Sequence, residues 1–457
     1  MSAPRSLRLA ARHLSRSECE DIARRALGFA TAAETRVTIA SGQQGNTRFA
    51  VNQISTAGDS YNATVTVQSS YGTRTGGAST NRLADESLRD AVQMAERLAR
   101  LSPEDPEALP LLGPQQYADA PGWSEATASL EPTERASAVR LIATPARAAN
   151  LTSTGYLEAN AGAFAVANSR GLFAYHRSTS CALTTTVRTP DGTGSGWAGG
   201  AHYDWARLDP AAFGARAIEK AKLSRSPVAI EPGRYTVILE PTAVGNLVQL
   251  IAGALSARSA DEGRSFFSRP GGGNKVGLKV IDERVSLLSD PLDPDAPAVP
   301  FTADGLPLSR TTWIENGVVR NLAYDRYWAG RQSRTPSAAG GTLRMSGGST
   351  TMDEMIASTR RGLLITRFWY IRGVDARTIL YTGLTRDGTF LVENGKITRA
   401  VKNLRFNESP IFMLNNIEAM GTPVRVSASE AGGPGTAIVV PPLKVRDFTF
   451  TSLSDAI

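Results

Sequence analysis

The sequence predicts an α+β protein with an N-terminal α/β domain, a middle domain and a strand-rich C-terminal domain. Apolar residues recur at helical spacing in several segments of the first half. Alternating and β-branched runs such as residues 36–40 and 63–68 indicate strands between those helices, and roughly the last hundred residues have strand and turn composition. At 457 residues the chain also exceeds what one hydrophobic core usually supports, so we expect several packed units.

The N-terminal domain is predicted to open with a helix. Ser17 and Glu20 have the spacing of a capping box, which would start a helix that continues to about Leu27. Residues 36–79 are typical of a β-meander, because their alternating runs are separated by Gly, Asn and Asp clusters. Residues 84–101 return to helical spacing, and prolines end that helix.

Two proline-rich stretches, residues 103–123 and 227–232, indicate the boundaries between domains. They divide the chain into 1–110, 111–228 and 229–457. In the middle domain we predict helices at 132–150 and 210–223 and strands at 155–166 and 171–188. The C-terminal domain begins with a predicted strand at 235–239 and a helix at 244–257, and a short helix follows at 352–358.

The composition excludes several classes of protein. With 41% hydrophobic and 20% charged residues the chain is an ordinary globular protein. Its longest apolar stretches are too short to span a membrane and no signal peptide is visible, so we expect a protein without membrane contact. The two cysteines, Cys19 and Cys181, give no disulfide framework and fit a reducing cytoplasm. The net charge of +7 comes without basic runs interleaved with aromatics, so no nucleic-acid partner is expected.

No catalytic constellation is visible from spacing alone. The three histidines, His13, His176 and His202, share no helical turn and no metal-binding string. There is no GxSxG elbow for a serine nucleophile, and turns and helix caps explain the clusters of carboxylates. An autonomous hydrolase is therefore disfavoured.

Several segments, in the same order along the chain, resemble the TldD/TldE (PmbA) metalloprotease family. They are Gly76-Gly77-Ala78-Ser79-Thr80-Asn81, residues 168–171, 232–241, 359–365, 382–390 and 392–397. The resemblance covers nearly the whole chain. It implies a cytoplasmic peptidase system of two related subunits, one carrying zinc, that cleaves peptides or unfolded chains and in some bacteria matures modified peptide antibiotics.

The resemblance also implies that this chain lacks the zinc site. In the zinc-bearing subunit a helix with the pattern GxxxHExxxH supplies two ligands and the base, and a cysteine near the C-terminus is the third ligand. Aligned on Gly245, this chain has Gln249, Leu250 and Ala254 at those helix positions. Ser427 and Ser429 stand near the position of the cysteine. Leucine and alanine offer no lone pair, so no catalytic residue and no bound metal are expected here.

What the resemblance implies is therefore a TldE-like, non-catalytic subunit of a heteromeric metalloprotease. Its expected partners are a TldD-like paralogue that carries the zinc and a peptide or unfolded-protein substrate. A candidate peptide-binding strand is formed by Gly341, Thr342, Leu343, Arg344 and Met345, although an ordinary internal strand is the plainer interpretation. The alternative is a stand-alone, homodimeric peptide-binding or regulatory protein.

Overall fold

The computed structural model describes residues 13–338, 342–428 and 436–454. The first half contains one antiparallel six-stranded sheet in the order β3-β2-β1-β4-β5-β6. Its elements are α1 (Arg16–Gly28), β1 (Glu34–Ala50), β2 (Gln53–Tyr71), β3 (Arg74–Thr80), α2 (Asp85–Leu101), α3 (Glu125–Ala128), α4 (Pro132–Ala148), β4 (Thr152–Asn168), β5 (Phe173–Arg188), β6 (Ser195–His202) and α5 (Pro210–Leu223). A 3-10 turn at Trp205–Arg207 precedes α5.

The predicted capping box of Ser17 and Glu20 at the start of α1 is wrong. Ser15 is the N-cap, its backbone is extended, and its hydroxyl accepts a hydrogen bond from the backbone N–H of Glu18. The Glu18 carboxylate accepts one in return from the backbone N–H of Ser15 at 2.7 Å. Ser17 lies inside the first turn, where helical backbone angles keep its side chain from capping.

The helices of this half lie on one face of the sheet. Val37, Ile39 and Phe49 of β1 are even numbers of residues apart, so their side chains point to that same face. The first two pack against α1 and α2, and Phe49 packs against α4. On the opposite face, Val166 of β4 is buried together with Phe301 from the second half of the chain. The opposite face is therefore covered only in part, since Ala40, Gln44 and Arg48 of β1 are exposed.

The second half contains two more sheets. Its elements are β7 (Gly233–Leu239), α6 (Pro241–Ala254), α7 (Ala257–Asp261), β8 (Leu287–Ser289), β9 (Thr311–Glu315), β10 (Val318–Val319), α8 (Arg326–Arg331), β11 (Leu343–Met345), α9 (Met352–Ala357), β12 (Arg361–Asp375), β13 (Leu380–Glu393), β14 (Lys396–Ala400), β15 (Leu404–Glu408), α10 (Pro410–Asn415), β16 (Ile417–Met420), β17 (Val424–Ala428), β18 (Thr436–Val440) and β19 (Leu443–Leu453). One sheet has the order β10-β9-β8-β11-β18-β17, and the other has the order β12-β7-β19-β15-β13-β14.

The larger of these sheets closes on itself, because β12 also pairs with β13. Phe368, Phe406 and Phe448 form a buried aromatic cluster, with ring centroids 4.7 to 5.9 Å apart. Aromatic rings at these separations add attraction to the area that they bury. This cluster belongs to the core of the second half.

The helix predicted at residues 244–257 is α6, which begins three residues earlier and ends three residues before the predicted end. α6 begins at Pro241, which suits a first helical position because its missing N–H would have no partner there. It ends at Ala254, and Ser256 then caps α7 by accepting a hydrogen bond from the backbone N–H of Ser259. Among the described residues no helix is long and apolar enough to cross a membrane.

Strands from the predicted domains 1–110 and 111–228 share the first sheet. β1 pairs with β4 along a continuous register from Arg36 opposite Asn168 to Phe49 opposite Gly155. The division of the chain at residues 110 and 228 stays a prediction, and the helical and strand composition of the whole matches the expected α+β class.

Candidate functional site

Helix α6 lies at the centre of the second half and is held there by packing and by one buried amide. Its apolar stripe, which includes Val244, Leu247 and Ile251, is fully buried. Asn246 is 2% exposed, and its side-chain oxygen accepts a hydrogen bond of 3.1 Å from the backbone N–H of Phe368 on β12. A buried polar group of this kind must be satisfied, so Asn246 fixes the helix relative to that strand.

The three positions that the family resemblance aligns with the zinc ligands and the base all lie on the last two turns of α6. The Gln249 amide donates to the backbone carbonyl of Asn246 at 3.3 Å. Leu250 is 9% exposed and belongs to the hydrophobic core. Ala254 is the last residue of the helix and packs against the same core.

These side chains do not fit a zinc ion. Zinc in proteins is held by thiolates, imidazoles and carboxylates, and these positions offer one neutral amide and two hydrocarbon side chains. Elsewhere in residues 13–338, 342–428 and 436–454, no three His, Cys, Asp or Glu side chains come together as a metal site would require.

Strand β17, which carries Ser427, packs against this helix. α6 packs against β17 and β18, and Ser427 lies opposite Ala437 in the β17–β18 pair. The two segments that the resemblance assigns to a degenerate zinc site, α6 and β17, are therefore neighbours in space, although nearly two hundred residues separate them in the chain. Ser429 and Gly341 lie outside the described residues.

The candidate peptide-binding strand is internal. Leu343 and Arg344 pair with β18, while Arg344 and Met345 pair with β8, so neither edge of β11 is free for a peptide backbone. The Arg344 guanidinium is occupied by Asp293 and Asp295. Pairing through this strand is therefore excluded for residues 343–345, and a contact through Thr342 stays a prediction.

Thr342 and Ser427 line the smaller of two adjoining cavities, which has a volume of about 340 Å³. It also contains His176, His202 and Cys181. Burial, and then the charge of Arg425, lower the pKa of His202 to about 4. Burial raises the pKa of Cys181 to about 11. Both groups are therefore neutral at pH 7, and Cys181 is a thiol rather than the thiolate that nucleophilic chemistry or metal binding needs.

The larger cavity, of about 510 Å³, lies between β6 on one side and α6 and β17 on the other. It is lined by the charged residues Arg207, Arg216, Lys220, Glu240, Asp295 and Arg425. The two cavities share Ala201, His202 and Arg425, and we call them together the groove. No spacing in the sequence indicates it, because β6 and β17 are separated by more than two hundred residues.

A buried cluster of charged and polar side chains, which the sequence did not indicate, joins the two halves of the chain beside the groove. Asp387 of β13 accepts hydrogen bonds from Arg367 of β12 and, at 2.6 Å, from the hydroxyl of Ser195 on β6. The Arg367 guanidinium also lies over the rings of Trp197 and Trp369, 4.9 and 5.2 Å from their centroids. This contact fixes one wall of the groove against the second half.

Three family models match the chain, and together they cover most of it. They are the PmbA/TldA metallopeptidase domain 1 at residues 37–99, the central domain at residues 125–225 and the C-terminal domain at residues 232–452.

Curated relatives are distant. A metalloprotease from Methanothermobacter thermautotrophicus is 24% identical over 256 residues, which is 51% of this chain and 53% of the relative. A metalloprotease from Methanocaldococcus jannaschii is 24% identical over 224 residues, 46% of this chain and 48% of the relative. The match thus spans about half the length of these relatives.

Solved structures match along nearly the entire chain. TldE from Thermococcus kodakarensis has a TM-score of 0.80 at 17% identity and covers 95% of this chain and 100% of its own. A putative modulator of a DNA gyrase from Thermotoga maritima has a TM-score of 0.80 at 18% identity, with the same coverage of both chains. At these identities the likeness establishes the fold.

Proposed function

Since this chain belongs to the PmbA/TldD metallopeptidase family, we propose that it is the zinc-free, TldE-like subunit of a heteromeric metallopeptidase. One observation carries the proposal. Helix α6 keeps its buried stripe and its fixed position, yet the residues at the ligand and base positions are Gln249, Leu250 and Ala254. The scaffold is present and the donors that zinc needs are not.

A subunit without zinc ligands can still contribute a binding surface for its partner and part of the wall of the substrate chamber. In this proposal it binds a TldD-like paralogue, which carries the zinc, and it completes the chamber in which that subunit cleaves peptides or unfolded proteins. The chain itself holds no cofactor and contributes no catalytic residue. The complex acts in proteolysis or in the maturation of peptides, and its proposed location is the cytoplasm.

Size-exclusion chromatography with light scattering, on this chain and the paralogue separately and mixed, tests the partnership. We expect a new hetero-oligomer whose peptidase activity exceeds that of either protein alone. An obligate interface commonly buries more than about 2,000 Å². If the mixture elutes as the sum of the separate profiles with the paralogue's own activity, the subunit proposal fails and a stand-alone, homodimeric peptide-binding protein becomes the better interpretation.

Elemental analysis of the purified chain tests the metal. We expect far less than one zinc per chain and no chelator-sensitive peptidase activity, because the α6 positions provide no anionic or imidazole donor. The paralogue, purified in the same way, is the control and should contain zinc. About one tightly bound zinc per copy of this chain would contradict the proposal.

A further inference from the structure

The larger cavity of the groove carries more positive than negative charge. Of the two carboxylates that line this cavity, Glu240 is paired with Lys220 at 2.6 Å. Asp295 is paired with Arg344, which Asp293 also binds. Two carboxylates thus share one arginine, which leaves about one uncompensated negative charge near the larger cavity. The third carboxylate of the groove, Glu158, lines the smaller cavity, where burial raises its pKa.

Three arginines line the same cavity, and their positive charge exceeds that negative charge. Arg207 and Arg216 are exposed and line the larger cavity from the side of α5, and Arg425 is part-buried between the two cavities. Within the described ranges of the chain, no hydrogen bond or ion pair of the Arg207 and Arg216 side chains is found. Among the described residues, the acceptors of the Arg425 guanidinium are two backbone carbonyls, those of Ala201 and Asp295.

These arginines are therefore placed to receive an anion. A guanidinium presents five N–H donors in a planar fork that matches a carboxylate. The carbonyl partners of Arg425 hold its orientation without neutralising it. Because Arg425 is part-buried in the cavity, a carboxylate bound to its guanidinium is screened less than it would be on an open face.

The walls of the groove favour a peptide as the molecule that carries the anion. β6 is the last strand of its sheet and β17 is the last strand of another, so each has an edge that no other strand of its sheet occupies. The Ala201 carbonyl of β6 is already bound by Arg425, so a peptide would pair with the other backbone groups of these edges. Backbone N–H and C=O groups along such edges pair with an extended polypeptide, and they do not read nucleotide bases.

We propose that the groove binds an extended peptide through a carboxylate, which Arg207, Arg216 and Arg425 receive. This inference deepens the proposed function, since it assigns to the zinc-free subunit a preference for carboxylate-bearing substrate segments. The carboxylate is either the C-terminus of the peptide or an Asp or Glu side chain, and both have the same chemistry.

Fluorescence anisotropy with the full-length chain and four labelled peptides of one extended, uncharged sequence tests the proposal. The first peptide has a free C-terminal carboxylate, the second is amidated, the third is amidated with two internal glutamates, and the fourth is amidated with two internal lysines. We expect the first or third to bind about tenfold more tightly than the second, and the fourth to bind least. Whichever of the two binds more tightly identifies the source of the carboxylate.

Matched variants connect the preference to the groove. Arg207→Gln with Arg216→Gln should reduce the tenfold preference to about twofold or less, because both exposed side chains can change without loss of a described contact. Arg140→Gln with Arg310→Gln removes the same charge from exposed positions outside the groove and should leave the preference intact. Salt at about 1 M, where the Debye length is about 3 Å, should weaken it as well.

Three outcomes overturn the proposal: no detectable binding of the carboxylate peptides, equal affinity for all four peptides, or equal loss in both double variants. A single-stranded oligonucleotide that displaces the peptides at the same concentration would assign the groove to nucleic acid instead. The peptide series needs no variant, so it remains decisive if a variant fails to fold. The readout needs no paralogue either, so a failed co-elution and a failed carboxylate preference are separate results.

Discussion

At the scale of single residues, Asp387 shows how a charge is kept in the interior of this protein. Its side chain is 3% exposed and contacts Arg367, which is 6% exposed, and the hydroxyl of Ser195. Burial alone would raise the pKa of Asp387, but the positive charge of Arg367 and the Ser195 hydrogen bond outweigh it and hold the pKa below its usual value. The carboxylate is thus ionised and joins two halves of the chain.

We predict that Asp387→Asn destabilises the protein strongly. The substitution keeps the shape of the side chain but leaves Arg367 buried without its counter-charge, which typically costs about 3–5 kcal/mol of unfolding free energy. Urea denaturation at pH 7 measures the loss. Glu219→Gln removes a carboxylate from the exposed face of α5 and should change the free energy by less than about 0.5 kcal/mol.

The same pair predicts a pH dependence with a definite sign. A carboxylate whose folded pKa is depressed stabilises the fold above its unfolded pKa, which is about 3.9. That contribution is lost as the pH falls below about 4 and towards the lower folded pKa. The native protein should therefore lose unfolding free energy more steeply than Asp387→Asn on acidification through this range. Parallel curves would show that Asp387 is not the residue responsible.

At the scale of elements, local signals predicted most helices and strands. α5 runs from Pro210 to Leu223 as predicted, because Asp209 caps it and Pro210 suits its first turn. The errors lie where two residues compete for one local role. Ser15 and Ser17 could both cap α1, and Ser15 does so. Residues near 256 could either extend α6 or start a new helix, and Ser256 is the N-cap of α7.

The Gly76-Gly77 pair of β3 has a packing role that the sequence did not reveal. α2 crosses β3 so closely that a Cβ atom on Gly76 would lie 2.2 Å from the backbone nitrogen of Ala99 and 2.5 Å from the carbonyl of Ala95. Neither obstacle is a flexible side chain. On Gly77 the nearest atom to a Cβ would be the carbonyl oxygen of Val67 at 3.5 Å, which is an ordinary contact.

We predict that Gly76→Ala destabilises the first half by at least about 1–3 kcal/mol, since α2 must move away from the sheet. Gly77→Ala is the matched control and should have little effect. Thermal unfolding followed by circular dichroism measures both. Similar melting temperatures for the two variants would mean that α2 and β3 are not packed as closely as described.

At the scale of the whole molecule, the first sheet unites the strands of residues 1–110 with those of residues 111–228. β1 lies in the middle of the sheet, between β2 and β4. The core under α1 and α2 includes Ala165 and Ala167 of β4. A chain that ends at residue 110 would therefore lack part of that core and would expose the edge of β1.

We predict that a fragment of residues 1–228 unfolds cooperatively in urea and that a fragment of residues 1–110 does not. The shorter fragment loses β4 and its buried alanines, whereas the longer fragment retains all six strands. A sigmoidal transition and well-dispersed amide resonances for residues 1–110 would contradict this expectation and would support the boundary predicted from the prolines.

The amino-acid sequence by itself determined the α+β class, most of the element positions and the membership of the chain in its family. It also placed Gln249, Leu250 and Ala254 on one helix. These features depend on residues close together in the sequence or on short motifs, so a short stretch of sequence is enough to predict them.

Only the tertiary structure decided how β1 pairs with β4, how Asp387 meets Ser195, and how Arg425 meets Ala201 and His202 to form the groove. Their partners are between about one hundred and more than two hundred residues apart in the chain. Closing such long loops carries an entropic cost that burial of the whole core repays, and no local pattern records which distant strands will share it.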